Sequence, residues 1–168
     1  MHANTTTHQG RLSGQPHLAG KNRAGNGSPP EGGEPFPAFG FLRGLHERAH
    51  AIEFRSSAGN SLWLPYHSLG AWRFDPSRGL LLNFSCDVVY LVLITGTNLD
   101  RPAADTGIDL FRAGLQRHRI LWMREMAEDE QESAGEGPFI DAIRVGQCEG
   151  QEQVNQWLAA NAPAFAAQ

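Results

Sequence analysis

Five consecutive residues, His46-Glu47-Arg48-Ala49-His50, have the types and spacing for metal-assisted hydrolysis. On a helix, residues four apart share a face. His46 and His50 could then offer two imidazoles to one zinc ion, while Glu47 reached the metal-bound water as general base. A third ligand would have to come from further along the chain, and His67, His118 and Glu125 have suitable side chains. The chemistry needs the helix. Gly44 lies just upstream and the strand-like AIEFR begins at Ala51, which leaves room for only a short one. The plainer account is a helical turn with Leu42 and Leu45 facing in and His46, Glu47 and Arg48 solvated.

Other reactive types are less organised. Ser85-Cys86-Asp87 raises the question of a thiol nucleophile with His67 or His118 as base, but no local nucleophile motif surrounds it. Cys86 reads as a small residue at a tight turn and Cys148 as a partly buried apolar one, and their 62-position separation fits no zinc-finger or disulfide framework. Asp75 and Asp87 read as turn residues that cap nearby N–H groups.

A second constellation is basic. Arg112, Arg117, Arg119 and Arg124, joined by Arg73 and Arg78 if the fold gathers the turns, could track phosphates while Trp63, Tyr66, Trp72 and Tyr90 stack bases. Against this, Trp72 shares an inward stripe with Phe74. The arginines are also interleaved with Asp75, Asp87, Asp105 and Asp109, and an acidic tail would compete for them.

The H-E-x-x-H segment resembles the zinc metallopeptidase signature, in those five residues of 168 and no others. The resemblance implies zinc as cofactor, His46 and His50 as ligands and Glu47 as the catalytic base.

Charge and punctuation divide the chain that must position these groups. Residues 1–40 hold eight glycines and five prolines and few large apolar groups before Phe36, a composition that predicts a disordered arm. Residues 41–126 carry ten arginines against eight carboxylates and most of the aromatic side chains; residues 127–168 carry eight carboxylates against Arg144 alone. The expected organisation is one domain over 41–160, with an acidic linker at 127–137 and a C-terminal helix, then a flexible tail at 161–168. The formal charge of −4 gives no global drive toward nucleic acid or anionic membrane. The N-terminal segment has no apolar run of the signal-peptide kind. The longest apolar run, Val88–Ile94, is far short of the roughly 20 residues that span a bilayer, so the expectation is a cytoplasmic protein with no membrane partner.

Within 41–126 the hydrophobic period is mainly two. AIEFR, SLWLPY, the Trp72–Phe74 segment, LLLNF and VVYLVLI predict five strands joined by short turns, with Pro65 placing the second at an edge. A short helix follows near Ile108–Leu115. RILWM and FIDAIRV supply a sixth and a seventh strand, and Gln151–Ala160 a final helix carrying Val154, Trp157 and Leu158 on one stripe. The predicted fold is α+β: a small curled antiparallel sheet or barrel of five to seven strands, with one or two packing helices.

On this reading the protein is a non-catalytic module for protein interaction or self-association, without cofactor. Its partner is a protein or peptide, or another copy of the chain, bound at the SLWLPY edge through Trp63 and Tyr66, since aromatic residues are favoured at interfaces. The alternatives are a zinc-dependent hydrolase using His46, Glu47 and His50, and a single-stranded nucleic-acid binder using Arg112, Arg117, Arg119 and Arg124.

Overall fold

The structure is a computed structural model that describes residues 34–103 and 106–166, so most of the predicted arm lies outside the described residues. In chain order the elements begin with β1 (Glu34–Pro35), β2 (Phe39–Phe41), β3 (Ala51–Arg55) and β4 (Ser61–Pro65). A 3-10 turn over Tyr66–Ser68 leads to β5 (Arg73–Asp75), β6 (Gly79–Ser85) and β7 (Val89–Thr97). A π-helical turn, Leu110–Leu115, precedes β8 (Ile120–Arg124), and a 3-10 turn at Glu128–Glu130 runs into α1 (Gln131–Ala134). The last elements are β9 (Phe139–Cys148), α2 (Gln151–Asn161) and α3 (Pro163–Ala166). Sheet structure thus starts at Glu34, inside the predicted arm. The predicted tail holds a helical turn whose Phe165 is buried.

The barrel does not form. The strands make two open sheets, a five-stranded one ordered β1-β2-β8-β3-β4 and a four-stranded one ordered β5-β6-β7-β9. The predicted five-strand meander breaks between β4 and β5, for a local reason and a distant one. Pro65 has no N–H to extend the ladder. Tyr66 is drawn into the core, where its hydroxyl donates to the Ile120 carbonyl and accepts from the Ile120 N–H. The chain therefore leaves the first sheet and re-enters in the second. RILWM supplies β8, but in the first sheet rather than beside the meander. It is antiparallel to β2 and parallel to β3, so the sheet is mixed and not purely antiparallel.

The sheets face each other across one core. Phe39, Phe41, Ile52, Phe54 and Leu64 of the first meet Leu80, Leu82, Phe84, Val92 and Ile94 of the second, and Phe54 meets Phe84 edge-on with ring centroids 5.9 Å apart. VVYLVLI has no polar face because both of its faces are covered. Leu91 and Leu93 point the other way, into a second cluster with Cys148, Val154, Leu158 and Phe165, where α2 and α3 lie on the sheet. Gly146 lets α2 sit close: a Cβ there would be 2.5 Å from Trp157 Nε1. The described residues are layered sheet, sheet, helix. The second sheet packs on both faces, whereas Trp63 on the outer face of the first is left 60% exposed.

The turn at Leu110–Leu115 occupies the place of the predicted Ile108–Leu115 helix. Asp109 caps it, its carboxylate accepting from the N–H groups of Phe111, Arg112 and Ala113. Phe111 then packs on both Trp72 and Phe74, the inward stripe expected of those two residues.

Candidate interaction face

The hydrolase motif is not on a helix. His46 lies in a turn, Glu47–Ala49 are irregular, and His46, Glu47 and His50 are exposed, so the shared-face argument does not apply to them. Leu42 is buried as expected but Leu45 is 73% exposed. Ala49 anchors the segment, with its side chain in the core and its N–H donating to the His118 carbonyl at 2.7 Å. His118 stacks on the Tyr66 ring. Glu125 is committed elsewhere, as described below. Among the described residues, no three His, Cys, Asp or Glu side chains converge where they could hold a metal ion.

The basic set also separates. Arg112 and Arg117 are exposed. Arg119 is 3% exposed, and its guanidinium donates to the carbonyls of Leu42 and Arg43, tying the chain before the motif to the start of β8. Arg124 makes a two-pronged ion pair with Glu130, at 2.6 and 3.0 Å, and Glu130 also accepts from the Ala127 N–H. The Arg124 guanidinium is the main reason the Glu130 carboxyl is held down to about 2. Asp75 is spent on its own turn, accepting from the N–H and hydroxyl of Ser77. Cys86 is exposed, and Cys148 is buried, which pushes its thiol up.

The two residues expected at the SLWLPY edge part company. Tyr66 is 4% exposed, and burial drives its hydroxyl well above the usual range, so it is a core residue and no part of a surface. Trp63 is 60% exposed on β4, the terminal strand of the first sheet.

Strand register places Trp63 in a row. It is opposite Glu53 on β3, Glu53 is opposite Trp122 on β8, and Trp122 is opposite Gly40 on β2. Same-face neighbours at this spacing touch. The Trp122 ring lies flat over Gly40, where a Cβ would come within 2.2 Å of Nε1, and the Arg55 guanidinium sits 4.6 Å from the ring's centroid. Arg55 also pairs with Glu53 at 2.6 Å and is the largest cause of that carboxyl's lowered pKa. The outer face is thus two tryptophans flanking a neutralised charge pair.

Among the described residues, the rim of this face has open backbone. Ser56 N donates to Asn60 O and Tyr66 N to His50 O, both at 2.8 Å. With that parity Leu62 and Leu64 exchange hydrogen bonds with β3, and the amide groups of Ser61 and Trp63 point away from it. Pro65 closes the run by removing the next outward N–H.

Glu125 is a structural residue that its sequence context does not announce. One carboxylate oxygen accepts from the Ile143 N–H of β9 at 2.7 Å; the other accepts from Ser57 N, Ser57 Oγ and Ser56 Oγ in the β3–β4 turn. It clasps the two sheets. Partial burial raises its pKa, but the donors from Ser57, Ile143 and Ser56 together outweigh that and hold the carboxyl below its ordinary value.

The chain matches no protein-family model, no curated protein and no solved structure. No helix among the described residues is long and apolar enough to cross a membrane.

Proposed function

We propose that this protein is a non-catalytic interaction module that captures an extended segment of a partner protein by strand addition at β4, with Trp63 as the anchor. The observation that carries the reading is Trp63 itself, a tryptophan 60% exposed on a terminal strand whose neighbouring amide groups point outward. Added strands gain affinity from main-chain hydrogen bonds and specificity from alternate side chains. Here Ser61 and Trp63 offer the main-chain groups, and Trp63 the side-chain contact. Because Glu53 and Arg55 neutralise each other beside it, the face favours an uncharged apolar or aromatic side chain opposite Trp63.

The hydrolase and nucleic-acid readings draw less support. His46 and His50 have no helix to align them, and Arg119 and Arg124 are already engaged. The test is selection from a displayed random peptide library on the whole protein and on Trp63→Ala. The expected result is enrichment of sequences with alternating apolar residues that bind the wild type and lose at least tenfold in affinity on the variant. Selected peptides that bind both proteins equally, or no enrichment above an unrelated control protein, would overturn the proposal.

A further inference from the structure

Arg119 is the one buried charged side chain among the described residues, and no carboxylate of those residues lies within ion-pair distance of it. Its position follows from register. Phe41 of β2 is opposite Ile120 of β8, so Leu42 and Arg119 leave the ladder side by side, and the Leu42 N–H donates to the Arg119 carbonyl at 2.8 Å. The side chain then turns back on the same stretch. Nε and Nη2 donate to the Leu42 carbonyl, and Nη2 donates also to that of Arg43.

Nη1 makes none of these bonds. Among the described residues, Asn83 Oδ1 is the only buried side-chain nitrogen or oxygen without a partner, so Nη1, which also has none, keeps accessible surface. A cavity of about 360 Å³ adjoins it, lined by Arg119 with Phe41, Arg43, Thr106 and Ile108. Thr106 and Ile108 come from a loop closed by the Ala103 N–H, which donates to the Ile108 carbonyl at 2.9 Å. Thr106 Oγ1 accepts from the Ile108 N–H, which leaves its own hydroxyl proton free to donate. A cation withdrawn from water is costly unless an opposite charge replaces its hydration. Two neutral carbonyls do so in part, on one edge of the guanidinium. The other edge has two N–H groups, no acceptor and a field that water screens only weakly.

We propose that this cavity binds a small monocarboxylate with a compact apolar body, its carboxylate held by Arg119 Nη1 and the Thr106 hydroxyl and its body laid against Phe41 and Ile108. Three hydrogens on two groups suit a single carboxylate, whereas a phosphate brings more charge and more acceptors than they serve. The site shares no lining residue with the β4 edge and does not depend on it.

The test is calorimetric titration of the full chain with benzoate, and with benzamide and benzamidine as neutral and cationic molecules of the same shape. Benzoate is expected to bind at least tenfold more tightly than either. Arg119→Gln, if it folds without its ties to Leu42 and Arg43, should lose that preference, whereas Arg112→Gln, a change at an exposed arginine outside the cavity, should keep it. A second pair of variants keeps the ties intact. Thr106→Glu places a carboxylate beside the guanidinium, so relative to Thr106→Gln it should raise the melting temperature of the free protein and weaken benzoate at least tenfold. Equal binding of the three molecules, no benzoate binding at millimolar concentration, or equal benzoate affinity in Thr106→Glu and Thr106→Gln would each overturn the assignment.

Discussion

At the residue scale, Glu125 is the side chain on which most depends. Its carboxylate is held below its ordinary value of 4.5 by donors from two sheets, so its stabilising contribution is complete above that value and is lost as pH falls through the lower folded value. Glu125→Gln removes the charge and turns an amide toward some of the same donors. By the usual cost of a charge-assisted hydrogen bond it should lower unfolding stability by about 1–3 kcal/mol at neutral pH. In urea titrations across pH, the gap between variant and wild type should narrow progressively as pH falls below 4.5; a gap that stayed constant on acidification would show that the charge is not what matters. His46 and His50 lead to the opposite expectation. Both are exposed, so replacing them together with Ala should change stability by no more than about 0.5 kcal/mol, and adding zinc should not shift the melting temperature of the wild type. A zinc-dependent rise abolished by the double substitution would restore the metal site. Residue types alone could not separate these cases: Glu125 and Glu47 have the same chemistry, and only the donors that the fold brings to Glu125 distinguish them. Tyr66 was illegible for the same reason, because its partner Ile120 is 54 positions away.

At the element scale the local patterns were readable and their partners were not. AIEFR and SLWLP form the hairpin that their alternation predicts, and Pro65 does place β4 at an edge. Nothing in RILWM, however, says that it will lie between β2 and β3, since that choice is made by burial against residues far away in sequence. Gly40 and Gly146 carry a trace of it, each lying under a tryptophan that arrives from another element. Gly146→Ala should push Trp157 and α2 away from β9, at a cost of about 1–3 kcal/mol by the ordinary penalty of overpacking. Thermal unfolding and the tryptophan emission of α2 would check this; an unshifted midpoint would mean that the helix docks without the close approach.

At the scale of the whole molecule, the expectation of a curled sheet or barrel fails because the chain has two cores to fill rather than one. The seven apolar residues of β6 and β7 with alternating orientation, Leu80 to Leu82 and Leu91 to Ile94, serve both, and a sheet covered on its two faces has no reason to close on itself. Among the described residues, what remains open is the outer face and rim of the first sheet. Binding there rests on main-chain hydrogen bonds and apolar contact, so affinity for a selected peptide should fall less than threefold between 50 and 500 mM salt, whereas phosphate recognition through arginines would fall by orders of magnitude. The most direct measurement is amide and indole chemical-shift mapping of the full chain with a peptide selected on it. The account predicts that the largest shifts fall at Ser61 and Trp63, including the Trp63 indole, with slowed exchange of their outward amides. Shifts centred instead on Arg112 and Arg117, or none at Trp63, would contradict it.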